Sequence, residues 1–234
     1  MLRSTKSILK RAVGQAFPPT FYSRLAAHSA LQRQFKSVFS IPRVEKREIV
    51  WDKLLEHVGT DAEILYLEFG VWQGYSIKYF SERFKNQKSR FIGCDSFIGL
   101  PEAWGESQAG RFTTEGNIPQ IEDTRVEFIK GWFQNTFNQL SDIIAKRSSD
   151  SKVVIHFDAD IYSATLFILS NIHDLLDNYY CIFDEFPGEE SLALLNYIQA
   201  YGANVEFFDA HFRAGMPRQV SGYLTTHRGN YSPG

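Results

Sequence analysis

The sequence predicts an α/β fold with a mainly parallel, doubly wound sheet, and three observations indicate it. From about residue 52 onward, short apolar runs typical of strands alternate with segments of helical periodicity. Several of these runs end in a carboxylate, as strands do when a ligand binds at their carboxyl ends. The last two runs are separated by only about nine residues, too short for a helical crossover, so we expect them to pair antiparallel.

The predicted elements follow in order along the chain. Strands are predicted near residues 64–69, 90–95, 126–130, 152–158, 179–184, 204–209 and 219–226. Helices are predicted over residues 74–84, 132–146, 161–176 and 189–201. Residues 97–123 are rich in Gly and Pro and lack periodicity, and connections of that length inside a compact domain are usually lids or binding loops. These elements predict a seven-stranded sheet whose last strand runs antiparallel.

The charge distribution divides the chain into two parts. A chain of 234 residues with 44% hydrophobic and 22% charged residues suits one globular α/β domain. Residues 1–50 contain ten Lys or Arg and two Glu, a net +8, so the rest of the chain carries −10 within the overall −2. We therefore predict a basic, mainly helical extension over residues 1–50 and the main domain over residues 51–234. The acidic domain argues against nucleic acid as a partner.

The partners and location follow from the same composition. The basic extension either covers the body or a neighbouring subunit of a homodimer, or contacts an anionic membrane surface peripherally. No apolar run reaches the ~18 residues of a membrane span. The two cysteines, Cys94 and Cys181, both fall inside predicted strands, so we interpret them as buried, reduced thiols. Reduced thiols are typical of a reducing compartment, and we therefore expect a cytoplasmic protein.

The first predicted strand leads into a short glycine loop, and the stretch reads ILYLEFGVWQG over residues 64–74. Gly70 and Gly74 bracket the start of a helix, but the loop lacks the G-x-G-x-x-G pattern of dinucleotide sites and has the bulky Trp72 in its middle. Glu68 lies just before the loop, where its charge repels phosphate and suits an ammonium or sulfonium group. S-adenosyl-L-methionine (SAM) carries both groups. The alternative is a strand-to-helix turn that needs two small residues.

A second carboxylate supports a nucleoside cofactor. Asp95 ends the second predicted strand, FIGCD, where an Asp in a doubly wound sheet accepts hydrogen bonds from ribose hydroxyls. Together with the glycine loop, this residue predicts a cofactor held across the first two strands.

The strongest chemical signal is a set of carboxylates after two later strands. Asp158 lies in HFDAD, and Asp184 and Glu185 lie in IFDEF. Neighbouring parallel strands end at the same sheet edge, so these groups should converge, and they would repel one another without a cation between them. An oxygen-only ligand set suits Mg²⁺. In the alternative, Asp158 contacts the ammonium of SAM while the other two cap the following turn.

His156 precedes Asp158 by two residues on the same side of its strand. It is a candidate general base or a group supporting the carboxylates. The alternative is a core histidine whose ring nitrogens are satisfied inside the protein.

With these residues, the chain resembles the macrocin and mycinamicin O-methyltransferase family, a branch of the class I SAM-dependent methyltransferases. The resemblance covers roughly residues 60–187. It rests on six blocks in one order: LEFGVWQG (67–74), DSFIGLP (95–101), FTTEGNIP (112–119), VEFIKGWF (126–133), HFDADIYSAT (156–165) and FDEF (183–186).

The resemblance implies a Rossmann-like class I methyltransferase domain and a set of site residues. The implied cofactor contacts are Glu68, Gly70, Val71, Trp72, Gly74 and Ser76 around the methionine part, Asp95 and Ser96 at the ribose, Gly131 and Trp132 at the adenine, and Asp158. The implied metal ligands are Asp158, Asp184 and Glu185, with Asp158 also a candidate base. Glu185 stands where the antibiotic-tailoring members usually have Asp.

The antibiotic-tailoring members methylate sugar hydroxyls. The resemblance therefore implies Mg²⁺-assisted methylation by SAM of a hydroxyl on a sugar-containing small-molecule or glycan acceptor, in a polysaccharide or a secondary metabolite. A metal bound to the acceptor hydroxyl would lower its pKa and orient its oxygen. Three alternatives remain: an N-methyltransferase of the same fold, an NAD(P)-dependent nucleotide-sugar oxidoreductase, and a SAM-binding module without catalytic activity.

Overall fold

The computed structural model describes residues 13–16 and 19–226. The first twelve residues, which carry part of the predicted basic extension, and His227 onward lie outside this range. Its helices are α1 (Pro19–Arg33), α2 (Arg47–Val58), α3 (Tyr75–Arg83), α4 (Phe133–Ala145), α5 (Tyr162–Ile172) and α6 (Ser191–Tyr201). Its strands are β1 (Arg43–Val44), β2 (Ile64–Phe69), β3 (Arg90–Asp95), β4 (Val126–Lys130), β5 (Lys152–Phe157), β6 (Asn178–Phe183), β7 (Asn204–Arg213) and β8 (Met216–Thr225).

The strands form one sheet in the order β1-β7-β8-β6-β5-β2-β3-β4. The last strand, β8, pairs antiparallel with both β6 and β7, while the other neighbours pair parallel. The predicted α/β fold with an antiparallel last strand is therefore confirmed. The sheet has one strand more than the predicted seven, because the two-residue β1 adds to its edge beside β7. So short a strand leaves no periodic signal in the sequence.

The hairpin at the end of the chain is tighter than predicted. β7 and β8 extend toward each other until only Ala214 and Gly215 separate them, both with positive φ, as a two-residue hairpin turn requires. Register shifts after Phe207 and after His211 interrupt the ladder. Each shift disturbs the period-two pattern, which explains why the sequence placed the strand ends too far apart.

Two hydrophobic layers enclose the sheet. Helices α2 and α3 cover one face, where Trp51 and Phe80 are fully buried. Helices α1, α4, α5 and α6 cover the other face. Because both faces are covered, the strand β2 is buried at all six positions, which explains the apolar run over residues 64–67. Cys94 and Cys181 are free, buried thiols, as predicted.

Helix α2 spans the predicted boundary at residues 50 and 51, since it begins at Arg47. Its buried residues belong to the core of the main domain. The division of the chain into an extension and a domain stays a prediction. Within the described ranges, no helix has both the length and the apolar character needed to cross a membrane.

The order of the strands positions the site. The chain leaves β2 toward β3 on one side, whereas β5 and β6 lie on the other side of β2. In doubly wound sheets, a crevice at the carboxyl edge lies at such a reversal of strand order. The residues predicted to bind a cofactor lie at the ends of β2, β3, β4 and β5 or in the segments that follow these strands, at this edge.

Candidate active site

One cavity of about 290 Å³ occupies this crevice. Most of the predicted cofactor-binding residues line it: Gly70, Val71, Trp72, Ser76, Asp95, Ser96, Gly131, Trp132 and Asp158. The predicted metal ligands Asp184 and Glu185 line it as well. The fold thus brings residues from five separate loops to a single cavity. Glu68, Gly74 and His156 do not line it.

The glycine loop takes its shape from contacts that only glycine permits. Gly70 has a φ of 93°, and a Cβ built on it would lie 1.8 Å from the carbonyl oxygen of Asp158. Its N–H donates to the carbonyl of Cys94 at 3.0 Å. The loop therefore packs directly on the backbone that follows β5. This close approach holds the two sides of the cavity together.

Asp95 organises the loop through its carboxylate. Its Oδ2 accepts the backbone N–H groups of Val71 at 2.7 Å and Trp72 at 2.9 Å, and its Oδ1 accepts the N–H of Phe97 at 2.7 Å. A carboxylate has about four acceptor sites, and these bonds use two on Oδ2 and one on Oδ1, so Asp95 keeps one acceptor site on Oδ1. Ser96 beside it donates to the carbonyl of Gly99 at 3.2 Å.

Glu68 lies beneath the cavity. It is fully buried and accepts hydrogen bonds from Ser76 Oγ at 2.9 Å and from the Tyr66 hydroxyl at 2.6 Å. The sequence placed Glu68 beside the ligand, whereas in the structure Ser76 lies between Glu68 and the cavity. The strand period turns Glu68 toward the α2 and α3 face, a direction that the motif alone does not reveal.

His156 is also buried under the cavity, between two carboxylates. Its Nδ1 lies 3.0 Å from the Tyr66 hydroxyl and 3.6 Å from Glu68 Oε2, and its Nε2 lies 3.4 Å from Asp184 Oδ1. Burial lowers the pKa of His156, but Asp184 and Glu68 outweigh this and raise the pKa to about 10. A ring engaged at both nitrogens and shielded from the cavity supports Asp184 and has no free nitrogen for an acceptor.

Asp158 after β5 and Asp184 after β6 lie close together. Among the described residues, one group of three possible metal ligands has its atoms within 4.8 Å of one another: His156, Asp158 and Asp184. Burial and the charge of Asp184 raise the pKa of Asp158 well above its usual value. Hydrogen bonding and charge from His156 outweigh burial and lower the pKa of Asp184. This set differs from the predicted one, because it contains His156 in place of Glu185.

Glu185 is separated from this group by its own partner. Arg218 Nη2 from β8 donates to Glu185 Oε1 and forms an ion pair with it. The backbone N–H of Glu185 donates to the buried Glu190 carboxylate at 3.0 Å. Asp184 also receives a hydrogen bond from Gln219, the neighbour of Arg218. Arg47 of α2 lies 3.8 Å from Asp184 Oδ2.

Asp160 is the residue that the sequence reasoning missed. It lines the cavity, is 7% exposed and has a φ of 61°, an uncommon backbone conformation for a residue other than glycine. Burial and the charge of Asp184 raise its pKa to about 7. The second Asp of HFDAD was a visible signal, since it follows the strand two residues after Asp158.

The long connection between β3 and β4 forms part of the cavity wall. Gly99, Leu100, Pro101 and Phe112 of residues 97–123 line it. The Phe112 ring meets Trp72 edge to face at 5.7 Å, and Glu102 accepts a hydrogen bond from Ser163 of α5 at 2.8 Å. This segment therefore bridges from the glycine loop to the helix after β5.

Comparison with known proteins places the chain among methyltransferases. A family model described as a methyltransferase domain matches residues 67–183, half of the chain. No curated protein matches it.

Two of the solved structures to which the chain is similar are O-methyltransferases. An O-methyltransferase from Bacillus cereus, in complex with SAH, is 13% identical with a TM-score of 0.48, covering 97% of this chain and 100% of that one. The O-methyltransferase TomG from Streptomyces achromogenes, in complex with SAM, is 13% identical with a TM-score of 0.46, covering 87% of this chain and 89% of that one. Likenesses this distant do not identify a substrate.

Proposed function

Because the chain belongs to the methyltransferase-domain family, we propose that it is a SAM-dependent O-methyltransferase that modifies a hydroxyl of a sugar-containing acceptor with the help of a divalent cation. The observation that carries this proposal is the single cavity lined by both the glycine loop with Asp95 and the carboxylates after β5 and β6. One side suits a nucleoside cofactor and the other suits deprotonation of an alcohol. Family membership also argues against the NAD(P)-dependent oxidoreductase.

The residues around the cavity fit SAM. Gly70 lines the cavity and packs on the Asp158 carbonyl as only glycine can, and Asp95 keeps one acceptor site for a ribose hydroxyl. When bound, SAM supplies an electrophilic methyl group on a sulfonium. The buried carboxylates of Asp158 and Asp160 favour a ligand with positive charge, since burying them unpaired is unfavourable.

Asp160 is the proposed general base. Its carboxylate lines the cavity, and its backbone conformation directs it there, whereas His156 is engaged at both nitrogens beneath the site. In this role, Asp160 would accept the proton of the acceptor hydroxyl. SAM, when bound, would supply the methyl group and leave as the thioether S-adenosylhomocysteine. A pKa near 7 suits a base that works near neutral pH. Asp158 is the alternative base.

The carboxylate set fits a divalent cation in part. Asp158 and Asp184 have oxygen atoms close enough to share an ion. Burial and the charge of Asp184 raise the pKa of Asp158, and a cation would relieve the repulsion between the two carboxylates. A bound cation would lower the pKa of a coordinated hydroxyl. Glu185 is the proposed third ligand, although it is paired with Arg218.

The acceptor class rests on the mouth of the cavity and on the resemblance to sugar-methylating enzymes. Trp72 and Tyr75 line the cavity and are 45% and 53% exposed, so their rings offer flat apolar surfaces to a sugar ring. A cytoplasmic location, a homodimer and a peripheral membrane contact through the basic extension also stay proposals.

The test is a calorimetric titration with S-adenosylhomocysteine (SAH), with NAD⁺ as the control, each in Mg²⁺ and again in EDTA. We expect micromolar binding of SAH and none of NAD⁺. Absence of SAH binding in both conditions would overturn the proposal. Methyl transfer from labelled SAM to a panel of glycosides then separates an enzyme from a binding module.

A further inference from the structure

The ion pair between Arg218 and Glu185 is fixed by the register of the sheet. The antiparallel ladder of β6 and β8 ends with Phe183 opposite Val220. The same register, continued beyond β6, brings Asp184 opposite Gln219 and Glu185 opposite Arg218. The two hydrogen bonds observed are these two pairs. The pairing therefore follows from strand alignment, and a chance meeting of surface side chains does not explain it.

The pair is also shielded from water. The Glu185 side chain is only 12% exposed and that of Arg218 is 37% exposed. A partly buried ion pair is screened less by salt than an exposed one. The positive charge of Arg218 also lowers the pKa of Asp160, whereas burial and the charge of Asp184 raise it. Arg218 thus stabilises negative charge on two residues of the cavity.

Arg218 and a divalent cation would use the same oxygen atoms. A guanidinium keeps its proton at any ordinary pH, so it cannot become neutral to make room for a second cation. It can only move away, and a long, one-third exposed side chain has solvent to move into. Arg47, at 3.8 Å from Asp184 and 42% exposed, makes a looser contact. Arg218 is therefore the stronger competitor.

We propose that Arg218 is a built-in competitor of the divalent cation: it holds Glu185 while the cation is absent and must release Glu185 before the carboxylate set can close around the ion. This inference rests on the divalent cation of the proposed function. Arg218 lies outside the region that matches the family model, residues 67–183, so a part of the chain beyond that match would set the cation affinity. In this role, Arg218 is a positioning residue for Glu185.

The test measures Mn²⁺ binding directly, by the loss of the free-ion signal in electron paramagnetic resonance, on the full-length protein. In Arg218→Met, we expect Mn²⁺ to bind about tenfold more tightly than in the unchanged protein, because the competing charge is gone. The matched control is Arg213→Met, an exposed arginine of the same hairpin, and its affinity should not change. Equal or weaker binding in Arg218→Met would overturn the proposal.

A second pair of variants separates competition at Glu185 from a general effect of charge. In a Glu185→Gln background, adding Arg218→Met should change Mn²⁺ affinity by less than about threefold, since the contested carboxylate is absent. A full tenfold gain in that background would show that Arg218 does not act through Glu185. Thermal unfolding of each variant identifies those that fail to fold.

SAH titration of the same proteins separates this inference from the proposed function. If SAH binds but Arg218→Met leaves Mn²⁺ affinity unchanged, competition is wrong and the methyltransferase proposal stands. If no variant binds Mn²⁺ while SAH binds, both the competition and the cation are wrong. If SAH fails to bind, the cofactor proposal itself is overturned.

Discussion

The two sides of the cavity are stabilised in different ways. The loop side, which comprises residues 70–74 and Asp95, is held by backbone groups: three N–H donors meet the Asp95 carboxylate, and Gly70 packs on the backbone that follows β5. The carboxylate side, which comprises Asp158, Asp160, Asp184 and Glu185, is held by charged and polar side chains from α2, β5 and β8.

The loop side therefore gives the cavity its shape, and the carboxylate side gives it its charge. Backbone contacts fix a rigid surface, and the main-chain groups that make them do not titrate. Side-chain partners leave the carboxylate side responsive, because a guanidinium or an imidazolium can be exchanged for another cation. The proposed cofactor therefore meets the rigid side, and the proposed proton transfer takes place on the responsive side.

The largest expected effect is on the carboxylate side. Asp160→Asn removes the proposed base while keeping its size, and kcat should fall at least about 100-fold, within the range for general bases. SAH affinity should stay the same, since the loop side is intact. Steady-state kinetics and calorimetry measure the two, with exposed Asp150→Asn as the control. A fall below tenfold would point to Asp158 as the base instead.

A side chain at Gly70 should destabilise the loop side. In Gly70→Ala, the added methyl group would meet the Asp158 carbonyl at 1.8 Å in a positive-φ conformation. We expect the free energy of unfolding to drop by about 3 kcal/mol, as for overpacking with backbone strain. Gly14→Ala is the control, because nothing lies within 4 Å of its Cβ. Denaturant unfolding measures both, and equal stability would contradict the rigid loop side.

A paired comparison tests whether the two sides act separately. Asp95→Ala should weaken SAH binding about 10- to 100-fold, since the loop loses its three-donor anchor as well as the proposed ribose acceptor. Asp184→Ala should leave SAH affinity within about threefold and abolish turnover. Calorimetry and a methyl-transfer assay measure these effects. An equal loss of SAH affinity in both variants would mean that the two sides form one unit.

The smallest effect is expected beneath the loop side. Ser76→Ala removes a donor from the fully buried Glu68, so the free energy of unfolding should fall by about 1–2 kcal/mol. Exposed Ser149→Ala should leave it unchanged. An unaltered unfolding curve for Ser76→Ala would show that Tyr66 and His156 suffice to hold Glu68.

Local patterns in the sequence predicted the secondary-structure elements and the edge of the sheet at which the site forms. Predicted strands at 64–69, 90–95 and 126–130 match β2, β3 and β4 residue for residue. Unbroken apolar runs and helical periodicity are set by neighbours in the chain, so they can be recognised locally. Parallel strands must end at one edge, which is why the carboxylates after β5 and β6 were expected to meet.

The partner of each carboxylate follows from the tertiary structure and was not predictable from the sequence. Glu185 meets Arg218, which lies 33 residues away, because of the register of β6 and β8. Glu68 lies beneath the cavity beside His156, and Asp160 reaches into the cavity from a positive-φ position. Such contacts depend on strand order, on the face of each strand and on backbone conformation, and residue spacing along a single chain encodes none of these directly.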